Sequence, residues 1–98
     1  MLHKYRFYFM AVALVFLFTG CAPDGAKIFK KECAACHNFK GFGGSICPDL
    51  TDVKHRRSDA WIRQQLRDPS VNKPDSRMPS FERLSDKEVQ ALIDYLKQ

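Results

Sequence analysis

Apolar residues are distributed along this chain in two different ways. From Phe7 to Phe18 they form an unbroken run of 12, preceded by Lys4 and Arg6 and followed by Thr19-Gly20-Cys21. Beyond Cys21 they recur singly or in pairs, separated by charged and turn-forming residues. Val89, Leu92, Ile93 and Leu96 fall at i, i+3, i+4 and i+7 behind the capping box Ser85-Asp86-Lys87-Glu88, which predicts a C-terminal helix. Trp61, Ile62 and Leu66 lie on one side of a shorter helix predicted from Ala60 to Asp68, with Ser58-Asp59 at its start and Pro69 at its end. Asp24 is placed to cap a third helix, Gly25 to Glu32, whose apolar face is Ile28 and Phe29. Two stretches have no sustained period and read as loops: Asn38 to Pro48, with Gly41, Gly43 and Gly44, and Ser70 to Phe81, with Pro74 and Pro79. Asp49 to Arg57 between them is polar and basic, with Leu50, Val53 and His55.

The long apolar run is shorter than the roughly 20 residues a membrane-spanning helix needs. Basic residues ahead of it and small residues behind it are signal-peptide anatomy. The expectation is therefore a cleaved segment, residues 1–20, and one domain, residues 21–98, outside the cytoplasm on the periplasmic side. Leu17-Phe18-Thr19-Gly20-Cys21 resembles the lipobox of bacterial lipoproteins, departing at Phe18 where an aliphatic residue is usual. That resemblance implies a lipid on Cys21 and attachment to a membrane. An ordinary signal cut elsewhere, with Cys21 unmodified, is the alternative.

Chemistry concentrates in Cys33-Ala34-Ala35-Cys36-His37. The helix before it leads straight into Cys33, and on a helical turn residues three apart lie on one face. Cys33 and Cys36 can thus offer two sulfurs to the vinyl groups of a single haem, and His37 can reach the iron beside them. A Cys-x-x-Cys can also be half of a zinc site or a redox dithiol. Zinc wants four N or S ligands, for which the further candidates are Cys47, His55 and His3, and no second Cys-x-x-Cys exists. A dithiol of thioredoxin type needs a βαβ setting, which the pattern around Cys33 does not provide. A domain cut from 98 residues buries little apolar area and needs a staple; a buried haem would be one. Setting aside Lys4 and Arg6 lowers the formal charge from +5 to +3, which two haem propionates would largely cancel. With no basic stripe interleaved with aromatics, nucleic acid is not an expected partner.

The order of these pieces resembles the small single-haem class I cytochromes c, from about Gly25 to Lys97: helix, Cys-x-x-Cys-His, loop with Pro48, Trp-bearing helix, Met78-Pro79 loop, terminal helix. The resemblance implies an all-α fold in which three main helices wrap one covalently bound haem c, the terminal helices crossing at Gly25 and Phe29 against Leu92 and Tyr95. It implies that Met78 supplies the sixth iron ligand and that the Pro48 carbonyl accepts a hydrogen bond from the His37 imidazole. Trp61 is implied to pack near a haem propionate. The duller alternatives are loop packing for Met78, a plain turn for Pro48 and helix-core burial for Trp61. His55-Arg56-Arg57 would neutralise propionates, attract an acidic partner, or form a solvated surface run. Cys47 departs from the family, which usually has Gly there; a buried inert thiol and a disulfide-linked or redox role are its two readings.

The function expected is a monomeric single-electron carrier rather than an enzyme, exchanging electrons with a donor and an acceptor protein of a respiratory chain while its iron alternates between ferrous and ferric. The rival is a haem-based sensor or gas-binding module in which Met78 leaves the iron. A peroxidase or oxidase would need distal acid–base groups, and the order of residues offers no evident His or Arg for them.

Overall fold

The computed structural model describes residues 22–98. The segment expected to be a signal, and Cys21 with it, lie outside the described residues. Among those residues no helix is long and apolar enough to cross a membrane.

The fold is mostly helical. The three longest helices are those the pattern predicts: α1 (Gly25–Glu32), α3 (Asp59–Arg67) and α5 (Asp86–Leu96). Each starts at a side-chain cap that satisfies N–H groups otherwise left without partners. Asp24 accepts from Ala26 and Lys27 at 3.0 and 3.2 Å, and Ser58 accepts from Trp61 at 3.1 Å. Ser85 and Glu88 close the predicted capping box at 3.1 and 3.0 Å. Ser58 is the cap itself, so α3 begins and ends one residue earlier than predicted.

Two short helices and a hairpin were not predicted. Val53–Arg56 forms α2 within the polar segment, and Pro69–Asn72 forms α4. Pro69 ends α3 and at once opens α4, because Pro is suited to the first position of a helix and Asp68 caps it through Ser70. Inside the glycine loop, β1 (Asn38–Phe39) pairs antiparallel with β2 (Phe42–Gly43).

Helix α1 crosses α5, and α3 packs on α4 and α5. Phe29, Phe39, Val89, Leu92 and Ile93 are fully buried between them. Phe39 comes from the hairpin and closes an aromatic triangle with Phe29 and Tyr95, ring centroids 5.0–5.9 Å apart in tilted geometry. Gly25 sits at the crossing, where a side chain would meet the Ala91 backbone and, at 2.8 Å, the Tyr95 Cβ. Arg83 grips Glu32 with two hydrogen bonds of 3.0 and 2.5 Å, tying the end of α1 to the loop before α5. The Arg83 guanidinium holds the Glu32 carboxyl below the usual carboxylate range, chiefly through that hydrogen bond.

Candidate functional site

Cys33 is the C-cap of α1 and belongs to the core, 8% exposed. The chain turns tightly after it, with Cys36 and His37 N–H both donating to the Cys33 carbonyl at 3.2 and 2.9 Å. The two cysteines and the histidine are thereby gathered on one turn. Neither thiol is in a disulfide. Burial first, then the neighbouring Glu32 carboxylate, pushes the Cys33 thiol up to about 11. A thiol so far from ionising is a poor nucleophile, which disfavours a redox dithiol. Among the described residues no group of three His, Cys, Asp or Glu side chains gathers as a metal-ion cluster, so the zinc alternative gains no ligand set there.

The glycine loop wraps this turn at backbone contact. Gly44 N–H donates to the Ala34 carbonyl at 2.8 Å. Gly43, at φ +116°, lies so close under the His37 carbonyl that a Cβ would collide with its oxygen. Only glycine combines that conformation with that approach. What the loop approaches is the Cys-x-x-Cys-His backbone itself.

Pro48 is positioned from both sides. Cys47 N–H donates to the Cys36 carbonyl at 3.0 Å and Leu50 N–H to the Asn38 carbonyl at 2.8 Å. Between these anchors the Pro48 carbonyl lies 2.7 Å from His37 Nδ1. A carbonyl only accepts, so Nδ1 carries the proton and donates, which leaves Nε2 of the neutral ring with a free lone pair. Thr51 and Asp49 brace the segment, Thr51 Oγ1 accepting from Lys40 N–H at 3.0 Å and Asp49 from Thr51 N–H at 2.7 Å.

Met78 belongs to a second group, built on α3 and α4. Its half-buried side chain packs against the core. The Gln65 amide donates to the Met78 sulfur at 3.4 Å. Asn72 in turn donates to Gln65 Oε1 and to the Trp61 carbonyl, both at 3.2 Å. The loop carrying Met78 is pinned by the free end of α3: Leu66 O accepts from Phe81 N–H at 2.7 Å and Arg67 O from the Ser80 hydroxyl at 2.6 Å. Arg67 also reaches the Leu84 carbonyl at 2.6 Å and Asp86 at 2.5 Å. Trp61 is half-buried with the Arg57 guanidinium 4.2 Å over its ring, within cation–π range. His55 is exposed on α2.

The structure thus joins Cys33, Cys36, His37 and Pro48 in one group and Met78 and Trp61 in another. Both rest on the same core, through Cys33 and Ala34 for the first and Met78 and Trp61 for the second. Gln65, Asn72, Arg67 and Phe39 carry roles the sequence did not disclose. Gln65 and Asn72 occupy ordinary polar positions of helices, and their significance depends on which loop folds over them. Two shallow surface hollows, of about 300 and 180 Å³, lie away from both groups, along Gly25–Gln98 and beside Arg83.

Two thiols on one tight turn that packs on the apolar core, and an imidazole with one nitrogen committed to a carbonyl, fit a c-type haem. Fold and site define the class, a c-type cytochrome domain that uses haem iron for electron transfer. The family model described as "Cytochrome C oxidase, cbb3-type, subunit III" matches residues 21–96, and the chain belongs to that family. It is also similar to the cytochrome c oxidase subunit 2 of Alkalihalophilus pseudofirmus, 28% identical over 85 residues. That match covers 78% of this chain and 25% of the relative, so the chain spans about a quarter of the relative's length.

Proposed function

We propose that the chain is a monomeric single-electron carrier with one haem c, attached through Cys33 and Cys36, its iron ligated by His37 and Met78. A lipid on Cys21 would hold it to a membrane on the extracytoplasmic side. The observation that carries the reading is the 2.7 Å bond from His37 Nδ1 to the Pro48 carbonyl, which fixes tautomer and ring direction and reserves Nε2 for a metal. When bound, the iron supplies a reversible one-electron couple. The rest is done by protein groups. Met78 offers a thioether, which favours ferrous iron, and its half-buried position against the apolar core restricts water beside it. Arg57, stacked on Trp61, would offer positive charge to a haem propionate. The protein catalyses no reaction of its own.

Partners are a redox donor and acceptor of a respiratory chain, a reading supported by the family and by the oxidase subunit it resembles. The rim around the thioether positions suits a protein partner. From Cys33 to Pro48 the only charged residue is Lys40, and Phe42 and Ile46 stand 50% and 87% exposed.

The deciding experiment is extraction with acidified acetone followed by mass measurement. Colour should stay with the polypeptide and the mass should exceed that of the bare chain by one haem. Zinc without haem would end the reading. A second prediction concerns the anchor. Stable attachment takes more than one acyl chain, so Cys21→Ser should yield a soluble or uncleaved species; wild-type protein wholly in the soluble fraction without acyl mass would refute the lipid.

A third concerns Gln65. Its N–H withdraws electron density from the Met78 sulfur and so disfavours ferric iron. Gln65→Leu should lower the reduction potential with helix content unchanged, and Asn72→Ala, which frees the Gln65 side chain and also releases the Trp61 carbonyl, should shift it the same way by less. A redox titration of both variants checks this; an unmoved potential in Gln65→Leu would show that the contact has no electronic role.

A further inference from the structure

Cys47 stands against the very residue the proposed function uses for attachment. Its N–H donates to the Cys36 carbonyl at 3.0 Å, and desolvation together with the neighbouring Cys36 thiol pushes the Cys47 thiol above its ordinary range. A main-chain hydrogen bond holds the two backbones side by side, and a disulfide needs α-carbons roughly 4.4–6.8 Å apart. Cys36 and Cys47 are both partly exposed, whereas Cys33 is buried in the core. The loop between them is held by Gly44 against Ala34 and by Gly43 against His37, so the chain path itself brings the two residues together.

We propose that, before haem is attached, Cys36 and Cys47 form a disulfide that blocks attachment at Cys36 until a reductant opens it. The inference rests on the reading of Cys36 as an attachment residue. The oxidant is the disulfide of an extracytoplasmic thiol oxidoreductase. Its sulfur is attacked by Cys36, giving a mixed disulfide, and Cys47 then displaces it. Two S–H bonds are lost, one S–S bond forms, and two electrons with two protons leave on the oxidoreductase as a dithiol. A dithiol reductant reverses the exchange and restores the Cys36 thiol for haem. Cys47 therefore makes attachment depend on reducing power.

The sequence provides a clean assay. Trypsin cutting after Lys31, Lys40 and Lys54 separates Glu32–Lys40, which holds Cys33 and Cys36, from Gly41–Lys54, which holds Cys47. The full chain is accumulated outside the cytoplasm without haem-attachment machinery, quenched in acid, alkylated and digested. The two peptides should appear joined, still joined in Cys33→Ser, and separate in Cys36→Ser. A bond confined to Glu32–Lys40, a link that Cys33→Ser abolishes, or free thiols throughout would overturn the proposal. With the attachment machinery present and reductant limited, Cys47→Ser should carry haem on a larger fraction of chains than wild type; equal fractions would also overturn it. If Glu32–Lys40 never gains haem mass in either protein even with ample reductant, the attachment reading fails instead, independently of the cross-link result.

Discussion

Met78→Ala is expected to keep its covalent haem and most of its helix while its reduction potential falls substantially. Cys33, Cys36 and His37 sit on the turn after α1, and the crossing of α1 with α5 is remote from the loop that carries Met78. That loop is held by Phe81, Ser80 and Arg67 rather than by Met78 itself. On the proposed ligation, removing the thioether takes away the ligand that favours ferrous iron, so the ferric form gains. It also opens a coordination position, and carbon monoxide should bind the reduced variant rapidly at neutral pH. Wild-type protein should be spectrally indifferent to carbon monoxide; rapid binding by wild type would favour the gas-binding rival. Redox titration and a visible spectrum decide. A variant with wild-type potential and an unchanged ferric spectrum would show that Met78 only packs, and would turn attention to His55, which the structure leaves exposed.

Gly25→Ala should cost more stability than its size suggests. At this position a Cβ would meet the Ala91 carbonyl carbon and the Tyr95 Cβ at 2.8 Å each, and its oxygen closer still. Two of these are main-chain atoms, so no rotamer change relieves the contact and α1 must move off α5. Alanine's better helix propensity, worth at most about 1 kcal/mol, acts in the opposite direction. Overpacking of a tight contact costs about 1–3 kcal/mol, and in a domain of this size each kcal/mol lowers Tm by roughly 4–8 °C. Thermal unfolding of the haem-bearing protein measures the outcome, with Gly25→Val expected to be worse. An unchanged Tm would mean that the helices cross farther apart than described.

The chain on its own determined the three longest helices, because caps and apolar spacing act over a few residues: Asp24, Ser58 and the Ser85/Glu88 box start helices where their N–H groups lie, and Val89, Leu92, Ile93 and Leu96 are all buried. Cys33-Ala34-Ala35-Cys36-His37 was legible for the same reason, since its chemistry is packed into one turn. The conformation of the segments between those helices was not: α2, α4 and the hairpin are too short for periodicity to register. Tertiary structure alone decided which donor faces Met78, that Phe39 completes the aromatic triangle, and that Arg67 holds the loop before α5. Those pairs lie 13 to 56 residues apart in sequence. Each is fixed by the direction in which glycine and proline turns send the chain, and no local pattern of polar and apolar residues encodes that direction.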